Sequence, residues 1–504
     1  MASLVPAKAV LVILSLLILW IIALGLHRET PFTDLKDALN DIYTVAGSSI
    51  RSKANGGPPS PHASSSVTET YVQQHQHHQP HTDATKKQSG PEGLSTFKEE
   101  WLATELGGHF DGSRLQQFCN ETKWRNDVVL QMLHSRGGIG NVRGTILDFI
   151  YFAIRSGSHI VLPGYIKRTD TNLDWMDESN GYHTFDNMFD SKWLIRIMKI
   201  HCPQMHVYRT IDDAPYNTTI NAEYNMLPAR SDKQAANNEP TLLAHFSHWL
   251  RDQPGYVPGE LNLVKSTAQI WNFDLYPRPK LRATMGRLLR ISPQIRGLAA
   301  TAVFNMRSRV ETDINPGEQL HRGAYCGVHL RTEVDAAKSG WLKIYGDFET
   351  QTDIYIEMCK SQGLRVIYVA SGNQEDIIRF TQKADKEAGI AVLSKHDLLS
   401  APEDRKLLDG LTWDQHGALD WEVLSRSSFF SGPTMSSFSW NIAFRRYFYI
   451  EGDERLRKEN PYAIQEEDPH VTYDDGLSRV VFRTPPERMI DFSMDEKAPR
   501  GMFP

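Results

Sequence analysis

Short apolar runs alternating with helix-period segments constrain this chain more than any other feature. Val128 to Leu133 is one such run, readable as strand or helix, and the glycine-rich turn Arg136-Gly137-Gly138-Ile139-Gly140 follows it. Asn141 to Ser156 then spaces Ile146, Phe149, Ile150 and Ala153 at helical intervals, and His159 to Leu162 returns as a strand ended by Pro163-Gly164. A second series begins later. Tyr325–Leu330, Arg365–Ala370 and Ile390–Leu393 read as strands. Trp413–Ser425 reads as a helix, Phe429-Phe430 as a short strand, Gly432-Pro433 as a turn, and Ser436–Tyr447 as a helix. Strands alternating with helices predict an α/β fold with doubly wound parallel sheets. Two series predict two Rossmann-like halves with a cleft between them, and ligand contacts beyond the C-terminal ends of the strands.

The N-terminus sets the expected address. Ala9 to Leu26 carries no charge, and at about 1.5 Å per residue it spans about 27 Å, close to the hydrocarbon thickness of a bilayer. It is read as a transmembrane signal anchor behind a cytoplasmic tail, residues 1–8. The alternative is a cleaved signal peptide ending near Ala23-Leu24-Gly25. Residues 27–95, whose later part is rich in Ser, Pro, Gly, Gln and His, are read as a disordered stalk. The body is placed at 96–315 for an N-terminal half and 316–485 for a C-terminal half, with a tail at 486–504. This layout predicts a single-pass type II protein of the Golgi or endoplasmic reticulum membrane with a lumenal body. The sequons at Asn120 and Asn217 are compatible with that address. A formal net charge of -6 argues against nucleic-acid binding. Four cysteines are too few for a disulfide-built scaffold, and spacing does not decide whether Cys119 pairs with Cys202 and Cys326 with Cys359.

Four motifs carry chemistry. Gly137 to Arg143 lets a backbone turn sharply into a helix whose first N–H groups suit an anion. Asn141 falls where a cap is expected, to cap the helix or to reach a bound sugar or phosphate. His329-Leu330-Arg331-Thr332-Glu333-Val334-Asp335 ends a strand with a guanidinium that matches phosphate geometry and two carboxylates just beyond it. An ion pair between Arg331 and those carboxylates is the plainer reading of the same residues. Tyr368 to Gly372 ends a strand in small residues. Ser436-Ser437-Phe438 opens a helix, as a phosphate cradle or as an ordinary serine cap.

In this order the motifs resemble those of the GDP-fucose protein O-fucosyltransferase superfamily, including its plant-type branch, over roughly Val128 to Arg446. Phe185-Asp186-Asn187-Met188-Phe189-Asp190 resembles that branch's FxxxFD segment. The stretch after Asp335 and the run Gly432 to Met435 depart from the pattern. The resemblance implies a GT-B fold and GDP-fucose as donor substrate. It implies donor contacts from Gly138, Gly140, Asn141, His329, Arg331, Asp335, Asp420, Ser436, Ser437 and Phe438. Arg331 would meet the β-phosphate, and Asp420 would lie near the guanine.

Transfer of a sugar from a nucleotide builds charge on the diphosphate leaving group, which Arg331 and the helix start at Ser436 suit. No Asp-x-Asp triplet occurs in the sequence, so a metal-independent reaction is expected, as the resemblance also implies, and the transfer is read as inverting. Glu333 is a candidate base. The acceptor is a protein or glycan hydroxyl. The competing readings are a transferase for another nucleotide sugar and a non-catalytic lumenal protein that binds nucleotide or glycan on the same fold.

Overall fold

The computed structural model describes residues 91–173, 177–226, 239–267, 273, 278–344, 346–450, 471–482, 494–495, 498–499 and 502–504. The expected tail, anchor and most of the stalk lie outside these residues. Among the described residues no helix is long and apolar enough to cross a membrane. The first element is a helix at Pro91–Ala103, so order begins before Thr96. Phe97 and Trp101 bury fully against the body, and that burial offsets the entropy of ordering residues that composition alone assigns to the stalk.

Both series of apolar runs form parallel sheets. In the first, β1 (Val128–Met132), β2 (His159–Val161), β5 (Val207–Tyr208), β6 (Thr218–Tyr224) and β7 (Asn262–Ser266) lie in the order β5-β2-β1-β7-β6, every pair parallel. A two-stranded antiparallel pair, β3 (Tyr165–Ile166) with β4 (Tyr182–His183), stands apart from it. The second sheet runs β10-β9-β8-β11-β13-β12. It comprises β8 (Cys326–His329), β9 (Val366–Ala370), β10 (Ala391–Leu393), β11 (Phe429–Pro433), β12 (Val471–Asp474) and β13 (Ser478–Val481). Only its β12 edge is antiparallel. β1, β8 and β9 are buried at nearly every position, as continuous apolar runs in a sheet covered on both faces should be.

Two local expectations are corrected. Gly432 and Pro433 do not turn; they extend β11 and pair with Val480 and Val481 of β13. Pairing of β11 with β8 stops at Ser431, so Pro433 sits at a strand end with one neighbour only, where a missing N–H is tolerated. Asn141 is not a cap. The helix runs Ile139–Ser156 with Gly138 as its N-cap, because Gly138 is extended and its carbonyl already accepts from Val142 N–H at 2.9 Å.

Both cysteine pairings left open by spacing are present, Cys119–Cys202 and Cys326–Cys359, with Cα–Cα separations of 5.5 and 5.9 Å. The second ties the start of β8 to the Phe348–Ser361 helix behind it. The first closes the longer loop, at a sequence separation of 83. Replacing Cys119 and Cys202 together by serine should cost about 4 kcal/mol of unfolding free energy, read from denaturant midpoints.

Candidate functional site

Four neighbouring parallel strands deliver side chains from their C-terminal ends into one cavity: His329 and Arg331 after β8, Ser371 and Gly372 after β9, Lys395 after β10, and Met435 to Phe438 after β11. From the other series, Arg136 to Asn141 follow β1, and Lys167 to Asp170 follow β3. The cavity holds about 1280 Å³. Every donor-site expectation lines it: Gly138, Gly140, Asn141, His329, Arg331, Asp335, Asp420, Ser436, Ser437 and Phe438, and so does the candidate base Glu333. Asn120 and Asn217 do not, and both are exposed.

Arg331 is fixed in both backbone and side chain. Its N–H donates to Gln351 Oε1 at 3.0 Å, and its carbonyl accepts from Gln351 Nε2 at 3.2 Å. Its Nη1 donates to Glu333 Oε2 at 2.6 Å and to Asp335 Oδ1 at 2.9 Å, and Nη2 donates to Asp335 Oδ2 at 2.5 Å. The ion pairs are present, and they leave guanidinium donors over for the phosphate reading. Three of five guanidinium donors are used, and Nε–H and one Nη2–H have no partner among the described residues. Burial is the largest single influence and works to raise the Glu333 carboxyl, but Arg331, His329 and the Gly372 N–H together outweigh it and hold it down at about 2. With both oxygens engaged, one by Arg331 and one by Gly372 N–H at 2.9 Å, Glu333 is a weak proton acceptor and a strong orienting partner.

The β8 motif and the serine motif touch. His329 Nδ1 meets Ser439 Oγ at 3.0 Å, and its ring lies 4.7 Å from that of Phe438. Burial pushes His329 down to about 4, so it is neutral near pH 7. Gly432 makes this contact sterically possible, since a Cβ there would lie 2.3 Å from Ser439 Oγ. The Ser437–Tyr449 helix has Ser436 as its N-cap, yet no side chain caps it, and none caps the Ile139–Ser156 helix. First-turn N–H groups have no intrahelical acceptor. The two helix starts touch each other: a Cβ on Gly140 would lie 2.6 Å from the Ser437 carbonyl carbon. Gly137, at φ +88, supplies the left-handed turn that leads in.

Charges lining the cavity balance, with Arg136, Lys167, Arg168, Arg331 and Lys395 against Asp170, Glu333, Asp335, Asp414 and Asp420. Attraction for an anion must come from placement, chiefly the two helix starts and Arg331, rather than from net charge. Asp420 is committed elsewhere than expected. Its oxygens accept from Tyr368 Oη at 2.6 Å and Lys395 Nζ at 2.6 Å, and the residue is 4% exposed. Both of its oxygens are therefore already engaged by protein donors. Among the described residues no group of three or more His, Cys, Asp or Glu side chains is placed to hold a metal ion.

Sequence reasoning missed Lys395, Arg168, Trp413, Asp414 and His416. Thr412-Trp413-Asp414-Gln415 did carry a signal, the T-x-x-Q of a capping box, which Thr412 and Gln415 form at the start of the Trp413–Ser425 helix. The Phe185 to Asp190 segment supports this region from behind. Phe185 and Phe189 are buried, Asp190 caps the following helix at Trp193 N–H, and Asn187 carbonyl accepts from Gln415 Nε2 at 2.6 Å.

The family model for GDP-fucose protein O-fucosyltransferase matches residues 130–449. No curated protein matches the chain. Among solved structures, POFUT1 in complex with GDP-fucose is similar at 14% identity, over 64% of this chain and 95% of that chain, with a TM-score of 0.40. POFUT1 in complex with GDP is similar at 14% identity over 65% and 96%, with a TM-score of 0.38. A mutant of Arabidopsis thaliana FUT1 in complex with GDP is similar at 10% identity over 70% and 77%, with a TM-score of 0.38.

Proposed function

The chain belongs to the GDP-fucose protein O-fucosyltransferase family and is a glycosyltransferase, and on that premise we propose that its cavity binds GDP-fucose and passes fucose to a hydroxyl of a protein or glycan. One observation carries the reading: Arg331 and two uncapped helix starts line the same cavity. Between them they offer a guanidinium and two sets of backbone N–H groups to one pyrophosphate. As the glycosidic bond breaks, negative charge grows on the β-phosphate. Donors already in place stabilise that charge without reorganising.

The finer features of the reading are proposals as well. The two sheets are the halves of a GT-B arrangement, with the donor held mainly by the second. The reaction inverts the sugar's configuration. It proceeds without a metal, the guanidinium and helix ends standing where a divalent cation would otherwise act. Glu333 orients Arg331 instead of taking the proton. The uncharged run Ala9 to Leu26 anchors the chain as a type II protein with its body in the lumen of the Golgi or endoplasmic reticulum.

Nucleotide release from a panel of GDP- and UDP-sugars, with and without chelator, tests this. GDP-fucose should be consumed at a rate that chelation leaves unchanged. Faster release from a UDP-sugar, or loss of activity on chelation, would contradict it. Saturable GDP binding with no turnover of any donor would favour a non-catalytic binding protein.

A further inference from the structure

Resting on the fucosyltransferase reading, we propose that Trp413, Asp414 and Arg168 form the subsite that holds the transferred sugar, the carboxylate and guanidinium reading two neighbouring hydroxyls beside the indole. The starting point is an elimination among the carboxylates of the cavity, leaving aside the exposed Asp170. Glu333 is engaged by Arg331 and the Gly372 N–H. Asp335 is engaged through both oxygens by Arg331. Asp420 is engaged by Tyr368 and Lys395. Asp414 differs. It is 2% exposed, its Oδ1 accepts from Arg168 Nη2 at 2.5 Å and Nε at 3.1 Å, and its Oδ2 is buried with no partner.

A buried carboxylate oxygen left unpaired is costly, and in a cavity wall it is an acceptor ready for a ligand's O–H. Arg168 Nη1 likewise has no partner among the described residues, so a free acceptor and free donors lie side by side. A sugar hydroxyl both donates and accepts, and two adjacent hydroxyls can span such a pair with charge-assisted bonds. The carboxylate also disfavours a second anionic group there, which suits a neutral sugar.

Position supports the assignment. The Trp413 indole packs over Gly372, where a Cβ would lie 2.3 Å from the ring. Gly372 N–H holds Glu333, and Glu333 holds Arg331. The subsite is therefore connected by direct contacts to the guanidinium assigned to the β-phosphate, the group to which the sugar is bonded. On the other side, Arg168 Nη2 lies 3.0 Å from where a Cβ on Gly138 would stand, at the mouth of the first helix.

Calorimetry with GDP and with GDP-fucose, on the full chain and its Asp414→Asn and Arg168→Gln variants, decides the matter. Asp414→Asn should weaken GDP-fucose about tenfold or more and leave GDP within about twofold. Arg168→Gln should show the same selective loss, and it decides alone if Asp414→Asn does not fold. Equal weakening of both ligands would make the pair a nucleotide contact and overturn the proposal. So would unchanged binding of both, which would leave the ion pair as a tie between two chain segments. Lost turnover with unchanged GDP-fucose binding would give the pair to the acceptor, overturning it too. A wild-type chain that binds neither ligand would remove the fucosyltransferase reading, and this proposal with it.

Discussion

Arg331→Ala should lower turnover of GDP-fucose about 100-fold or more, the scale seen when one preorganised charge stabiliser is removed. The loss has two sources, which can be separated. The first is chemical: the β-phosphate loses the guanidinium donors left over from the pairs to Glu333 and Asp335. The second is structural, since Glu333 is then a buried carboxylate without its cation, a fault that costs about 3–5 kcal/mol when uncompensated. Arg331→Lys keeps the charge but not the planar fork, so it should recover most of the stability and only part of the turnover. The pH dependence of melting gives an independent check. Folded Glu333 sits at about 2 against an ordinary value of 4.5. A group depressed in this way stabilises the fold fully above about 4.5, and its contribution is lost as pH falls through about 2. Without Arg331 burial is opposed only by His329 and the Gly372 N–H, and most of the depression is lost. The gap in melting temperature between wild type and Arg331→Ala should therefore be widest at neutral pH and close on acidification from about 4.5 towards 2.

Gly140→Val should abolish GDP binding. A Cβ at this position meets the Ser437 carbonyl carbon at 2.6 Å and its oxygen at 2.7 Å. Ser437 Oγ, also met at 2.6 Å, could swing aside, but these two are backbone atoms of a helix start and cannot, so the two helix N-termini must part. Parting them removes the geometry that lets both face one phosphate group. The overpacking itself should cost about 1–3 kcal/mol, visible as a lower melting temperature. Gly297→Ala is the matched control. It lies within the Pro293–Met306 helix with nothing within 4 Å of the added carbon. It should raise stability by about 0.5–1 kcal/mol and leave GDP affinity unchanged.

The strands and helices around the site were legible because burial and period agree there. β8, β9 and β10 are apolar runs that end in small or charged residues, and the Trp413 and Ser437 helices keep helical spacing. Element ends were less legible. At Gly138 the cap is a backbone conformation, which leaves no side-chain signature, so attention fell on Asn141 instead. At Pro433 a usual turn signal was overridden by pairing on one side of a strand end. The site was legible where one segment carries several of its parts, as from His329 to Asp335. It was not legible where partners are remote in sequence. Asp414 pairs with Arg168 across 246 residues, and Asp420 pairs with Lys395 across 25. No local pattern marks either pair. Asp420 shows the consequence: sequence marks the residue but not that its oxygens are already taken.

The central claim is that Arg331 and the two helix starts hold one pyrophosphate. A crystal structure of the chain with GDP tests it most directly. The β-phosphate should lie within about 3 Å of the Arg331 guanidinium and of backbone N–H groups at Ser437 or Phe438, with the Gly138 to Asn141 turn against the same diphosphate. A diphosphate bound away from Arg331, or one reached by the guanidinium but by neither helix start, would contradict it.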